Sequence, residues 1–404
     1  MSALFPIYLF NMNLLTLAAR MMVLGSVCLV GAAQANPVVY RGTLGTAPVV
    51  VELDIGTNGK IEGRYFSPAA HVMHSLVGDL AQKGTLVLTV IDDEDGSEKE
   101  AASEDGTDNE PFVEQQLTLQ PLGEQGWKGE WRDGRAAPVA AVLTPAAPLA
   151  PAVAIKLSPF MQSLYALSLY DFLFQQGNEL KMVKQGRIGD YQVEWWQDPL
   201  TDSSMFQVVS GYPAEQREQL NAQLRADFWQ MTQSNRCSTE DVFKVKIGLL
   251  SAGVVSYIAT NLHLCPGSAH PSTDVYARTF RVSDTALLSL ADLLWVGEPP
   301  IPDEHYITDN YRDDTLPVWL KKQFDRLYPV QMRNNGKVNG VFDGCNYTSA
   351  DIWTYAPWYL TRNGIVFQPM MPNMMDACNH SGWEVLPWPV VNQHRGRLQD
   401  MRLP

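Results

Sequence analysis

The chain has 404 residues, 46% hydrophobic and 18% charged, with 44 acidic against 30 basic side chains and a formal net charge of −14. That balance excludes nucleic acid and anionic membrane as partners, because both require a basic face that displaces counterions. The length suggests two or three domains, and 11 tryptophans help to supply sizeable cores.

The first 35 residues read as an export signal. Arg20 is their only charge, the apolar run Met21–Val30 follows, and Ala33-Gln34-Ala35 has the A-x-A form of a cleavage site. The run is too short to span a bilayer. Cleavage after Ala35 leaves 29 Lys+Arg against 44 Asp+Glu, a charge of −15, with no membrane span expected in what remains. Val27 before Cys28 argues against a lipid anchor. The expected location is the periplasm or the exterior.

Residues 36–145 predict a small all-β domain, a meander, barrel or sandwich. Short β-rich runs at Val38–Leu44, Pro48–Leu53, Lys60–Phe66, Val72–Leu80 and Leu86–Ile91 are broken by Gly, Asn and Asp. Asn58-Gly59 is a hairpin signal. Gln116–Gln120, Gly126–Trp131 and Val139–Thr144 continue the pattern. The acidic insert Asp92–Glu110 fails as a calcium loop, with Ile91 at the first ligand position and Ala102 at the closing one. It reads as a solvated loop.

Residues 146–204 read as a linker and connecting segment. Pro145–Pro151 is rich in Ala and Pro, Ser158–Gln175 fits a helix or two strands, and Tyr191–Trp196 reads as a strand. From 205 to 404 the pattern is α+β, with helices packed on a mainly antiparallel sheet. Gly211-Tyr212-Pro213 opens a helix over Ala214–Gln233 whose stripe is Leu220, Leu224, Phe228 and Met231. Val242–Leu264 is strand-like, Pro317–Tyr328 predicts a second helix, and strands at Trp358–Thr361 and Ile365–Pro369 flank Gly364.

Cys237, Cys265, Cys345 and Cys378 remain after signal removal, an even number in an oxidising compartment. Three connectivities are open, and we favour Cys237–Cys265 and Cys345–Cys378, each pair straddling a short apolar segment. No C-x-x-C spacing supports a metal, and no metal or other cofactor is expected.

The chain lacks G-x-S-x-G, S-x-x-K, H-E-x-x-H, the P-loop and G-x-G-x-x-G. The densest polar segment is His263–Pro271, where Ser268 and His270 could serve as nucleophile and base if they converge. The alternative is a turn shaped by Pro266, Gly267 and Pro271. His305 beside Asp309, Asp313 and Asp314 reads as a solvated loop. Trp195, Trp196, Trp353, Trp358, Trp383 and Trp388 suit either a glycan platform or core packing.

The order Gly211-Tyr212-Pro213, a helix bearing Asn221, strands, the Cys265–Pro271 segment, Leu290–Leu294, a helix, then Trp358–Phe367 resembles a bacterial envelope domain of unknown function. That domain occurs in lysozyme-sensing anti-sigma factors and beside the catalytic module of peptidoglycan deacetylases. The resemblance covers about residues 205–392 and implies a mixed α/β fold with a binding or sensing role. It carries over no functional residue. The expected function is an exported envelope protein that binds a cationic protein such as a lysozyme, or peptidoglycan. The alternative is a periplasmic hydrolase with its site near Ser268 and His270.

Overall fold

The computed structural model describes residues 37–91, 115–233, 242–264, 271–333, 345–372, 375–379, 381–401 and 403. The signal segment, Cys237, Cys265, Ser268 and His270 lie outside the described residues.

Eight strands form a closed antiparallel barrel in chain order: β1 (Val38–Leu44), β2 (Ala47–Ile55), β3 (Lys60–Phe66), β4 (Met73–Leu80), β5 (Leu86–Ile91), β6 (Gln116–Pro121), β7 (Trp127–Arg132) and β8 (Val139–Pro145). β8 pairs with β1, with Arg41 opposite Thr144. At the β2–β3 hairpin Gly59 adopts φ +80°, a conformation open to glycine, and the Asn58 side chain accepts from the Lys60 N–H at 3.0 Å. Alternate residues point inward: Tyr40, Val51, Leu53, Leu88, Leu119 and Leu143 fill the interior. Eight strands enclose about the space that side chains alone can fill, so the barrel is a packed core.

The outward residues Val39, Val50 and Phe66 are buried as well, in the largest apolar cluster of the molecule. The segment after the barrel covers them. It folds as two helices, Pro159–Leu167 and Leu169–Gln175, which settles the helix-or-strand choice. Ser168 divides them: it ends the first, and its side chain accepts from the N–H groups of Tyr170 and Asp171 to start the second. Phe66 meets Tyr170 and Phe174 edge-on at 5.2 and 4.9 Å. Beside them Arg64 bonds Glu52 at 2.7 Å and Asp171 at 2.9 Å while lying over the Tyr170 ring. Burial raises the pKa of Asp171, and Arg64 opposes that shift.

β9 (Lys181–Ile188), β10 (Tyr191–Gln197) and β11 (Ser204–Ser210) form a three-stranded sheet. The boundary expected at 204/205 therefore runs through β11, which pairs with β10. Residues 146–204 are part of the second body, because their helices and strands bury Phe160, Leu164 and Val193. The helix Ala214–Met231 buries the expected stripe of Leu220, Leu224, Phe228 and Met231. Its Asn221 is also buried: the side chain accepts from the Val208 N–H at 2.8 Å and donates to the Val208 carbonyl at 2.9 Å. One carboxamide thus satisfies both backbone groups of Val208 on the edge strand β11.

A second sheet contains β12 (Val242–Leu250), β13 (Val254–His263) and β14 (Ser272–Arg281), antiparallel throughout. One face lies on the long helix, where Tyr257 donates to Asp227 at 2.6 Å. The third sheet, β15 (Trp358–Thr361), β16 (Gly364–Phe367) and β17 (Val385–Pro387), shares a core with the helix Leu316–Leu327 through Leu320, Phe324, Leu360 and Phe367. Cys345 and Cys378 form the expected disulfide. The molecule is a mixed α+β protein with an eight-stranded barrel. No helix among the described residues is long and apolar enough to cross a membrane.

Candidate functional site

β15 crosses all three strands of the second sheet. Glycine makes the crossing possible: a Cβ on Gly248 would stand 2.3 Å from the Leu360 carbonyl oxygen and 2.5 Å from the Tyr359 ring. The crossing is then fixed by Ser256, whose Oγ accepts from the Leu360 N–H at 2.8 Å and lies 2.8 Å from Thr279 Oγ1. Strand alternation sends Trp358 and Tyr359 to opposite faces of β15, so a cleft opens on each side.

The cleft on the Tyr359 side has a volume of about 260 Å³. Cross-strand pairing of Lys246 with Ile258 and of Lys244 with Thr260 places these four side chains on one face of the second sheet. Tyr359, Val366 and Gln368 form the facing wall, and Asn379, Gly382 and Glu384 close the rim. Lys246 Nζ donates to the Tyr359 hydroxyl at 2.8 Å and sits 5.3 Å from the centre of its ring. The rim is held by the Cys345–Cys378 bridge, by Tyr347 donating to the Cys378 carbonyl at 2.9 Å, and by Asn379, which bonds both polar groups of the Met371 backbone.

Glu384 is the unusual group in this cleft. It is only 2% exposed, and burial pushes its carboxyl up to about 7. The backbone N–H groups of its own turn and the Lys246 charge pull the other way without cancelling the shift. Ser381 Oγ donates to Oε1. The adjacent Trp383 packs edge-on against Tyr347 and Tyr328 at 5.0 and 5.3 Å.

On the Trp358 side lies a larger cleft, about 400 Å³, lined by Val275, Ala277, Phe367 and Tyr355. Of its charged side chains, Arg312 and Glu304 bond each other at 3.3 Å and Arg278 lies 3.9 Å from Asp227. Size favours this cleft, but chemistry favours the smaller one, where an ammonium, a phenol, carboxamides and a buried acid converge.

Several sequence candidates fall elsewhere. Ser268, His270, Cys237 and Cys265 are outside the described residues. His263 ends β13 and lies 3.7 Å from Asp274. His305 packs at a tilt against Tyr306, and no group of three metal-ligating side chains occurs among the described residues. Trp388 is a core residue, Trp383 belongs to the aromatic cluster, and Trp353, though buried in the core, joins Trp358 in lining the larger cleft. Sequence reading missed Lys244, Lys246, Tyr359, Gln368, Asn379 and Glu384 as a site. The available signal was Glu384, a lone acid between Trp383 and Val385.

Comparison with protein-family models and with curated proteins finds no match to this chain.

Proposed function

We propose that this chain is an exported envelope protein, periplasmic or secreted, whose role is to bind or sense a protein or cell-wall ligand. The observation that carries the reading is the Tyr359-side cleft, whose polar groups converge on a rim held by a disulfide. A covalent bridge in such a position supports an oxidising compartment. The acidic chain, at −14, would steer a cationic partner such as a lysozyme toward it. Calorimetry with lysozyme and co-sedimentation with purified peptidoglycan test the reading. Binding to one of them is expected, and no binding to either at low salt overturns it.

A second reading, a periplasmic hydrolase, is favoured by Glu384. A carboxyl near 7 in a cleft suits a group that exchanges protons with substrate. On this reading the Ser268 and His270 segment would supply the remaining chemistry. Release of fragments from peptidoglycan by the wild type, and its loss in Glu384→Gln, would support it. Intact peptidoglycan after prolonged incubation would reject it.

A further inference from the structure

Lys244 and Lys246 stand two residues apart on β12, roughly 7 Å along the strand. Both are exposed, and neither has a carboxylate within 4 Å among the described residues. Lys246 is instead held by the Tyr359 hydroxyl, which leaves its other two N–H groups directed away from that bond. Two ammonium groups without an ion-pair contact, one of them acting at longer range on the Glu384 carboxyl, are a local exception to the field of a chain of net charge −14.

Below them the floor is apolar, made by Ile258, Val366 and the Tyr359 ring, each less than 10% exposed. Thr260 and Gln368 border it. A floor of this kind fits the C–H face of a ligand, and the bordering amide and hydroxyl fit its polar edge. The acidic remainder of the chain opposes each further negative charge on an incoming molecule. A monoanion therefore matches the cleft better than a phosphate dianion does.

We propose that this cleft is a site for a small carboxylate-bearing ligand, its carboxylate held by Lys244 and Lys246 and its neighbouring hydroxyl or amide groups by Thr260 and Gln368. The proposal rests on the binding reading above and names the ligand chemistry for it. Two sources share that chemistry: an acidic sugar and the free carboxyl end of a peptide.

Calorimetry on the whole chain at low ionic strength tests it with two matched pairs of probes. D-glucuronate and D-glucose differ in the carboxylate, as do N-acetylglycine and N-acetylglycinamide. At least one acid should bind, and at least tenfold more tightly than its neutral partner. The acid that binds identifies the source. Lys246→Met should weaken that acid at least tenfold, while Lys246→Arg stays within a few-fold of wild type. Circular dichroism checks the fold, and the exposed Lys244→Met replaces Lys246→Met if the latter fails to fold. Equal affinity within both pairs, tighter binding of inorganic phosphate than of either acid, no binding of either acid, or an unchanged affinity in a folded lysine variant overturns the proposal. Acid binding without lysozyme or peptidoglycan binding would retain this site and remove the function proposed above. The reverse result would remove only this site.

Discussion

Glu384→Gln separates the cost of a buried charge from the fit of the side chain that carries it. In the folded chain the carboxyl titrates near 7, against an ordinary value of 4.5. The folded state therefore holds this proton more tightly than the unfolded state does. Between the two values unfolding releases a proton, so stability falls as pH rises from about 4.5 to about 7 and then levels off. At 1.36 kcal/mol per pKa unit, the shift corresponds to about 3 kcal/mol lost by pH 8. A glutamine side chain fills the same space, keeps an oxygen for the Ser381 hydroxyl and has no charge to desolvate. The groups facing Glu384 are Lys246 from β12 and the phenols of Tyr328 and Tyr347, whose own pKa values burial raises. Neither phenol gains or loses a proton between pH 5 and 8. Asp171 and Asp227 also have raised values, but they are common to both proteins and cancel in the difference. Urea unfolding at pH 5, 6, 7 and 8 should show the glutamine variant near wild type at pH 5 and more stable by about 2 to 3 kcal/mol at pH 8. Parallel pH profiles, or a variant less stable than wild type at pH 8, would refute the account.

Gly248→Ala should destabilise by about 1–3 kcal/mol, since the new Cβ must displace the β15 backbone; an unchanged thermal midpoint would show that the crossing can move aside. Asn221→Ala leaves the Val208 N–H and carbonyl without their side-chain partner and should cost about 2–4 kcal/mol in urea unfolding. Replacing Cys345 and Cys378 together by Ala should cost about 3–4 kcal/mol, given the sequence separation of 33, and a smaller loss than about 1 kcal/mol would count against the constraint of the unfolded chain. If Cys237 and Cys265 are also paired, thiol titration of the denatured, unreduced protein lacking the signal segment finds no free sulfhydryl; two per chain would reject that pairing.

The barrel was legible because each strand alternates over a half-buried surface. The expected spans Val38–Leu44, Lys60–Phe66 and Leu86–Ile91 coincide with β1, β3 and β5. β9 escaped because Lys181–Ile188 is exposed along almost its whole length and has no apolar side to read. The Ser158–Gln175 ambiguity came from a dense apolar run that two helices bury on several sides, so no single period dominates. The cleft was illegible for a different reason. Its central contact joins Lys246 to Tyr359 across 113 positions, and only the β15 crossing brings them together. Lys244 and Lys246 were visible in sequence as the polar half of a strand, but nothing local shows that a second sheet stands over that half.

The double burial of the barrel wall sets where the chain can be divided. Val49 and Val51 face the barrel interior, whereas Val50 between them belongs to the core of the following body. A cut after residue 145 would expose Val50, Val39 and Phe66 on one fragment and Phe174 and Tyr170 on the other, with Arg64 separated from Asp171. Recombination that exchanged this barrel for another would have to take the helices Pro159–Leu167 and Leu169–Gln175 with it. Those helices in turn pack Phe160 and Phe174 on Trp229 and bond Gln175 to the buried Asp198, so a cut after Gln175 would break the same core on its other side.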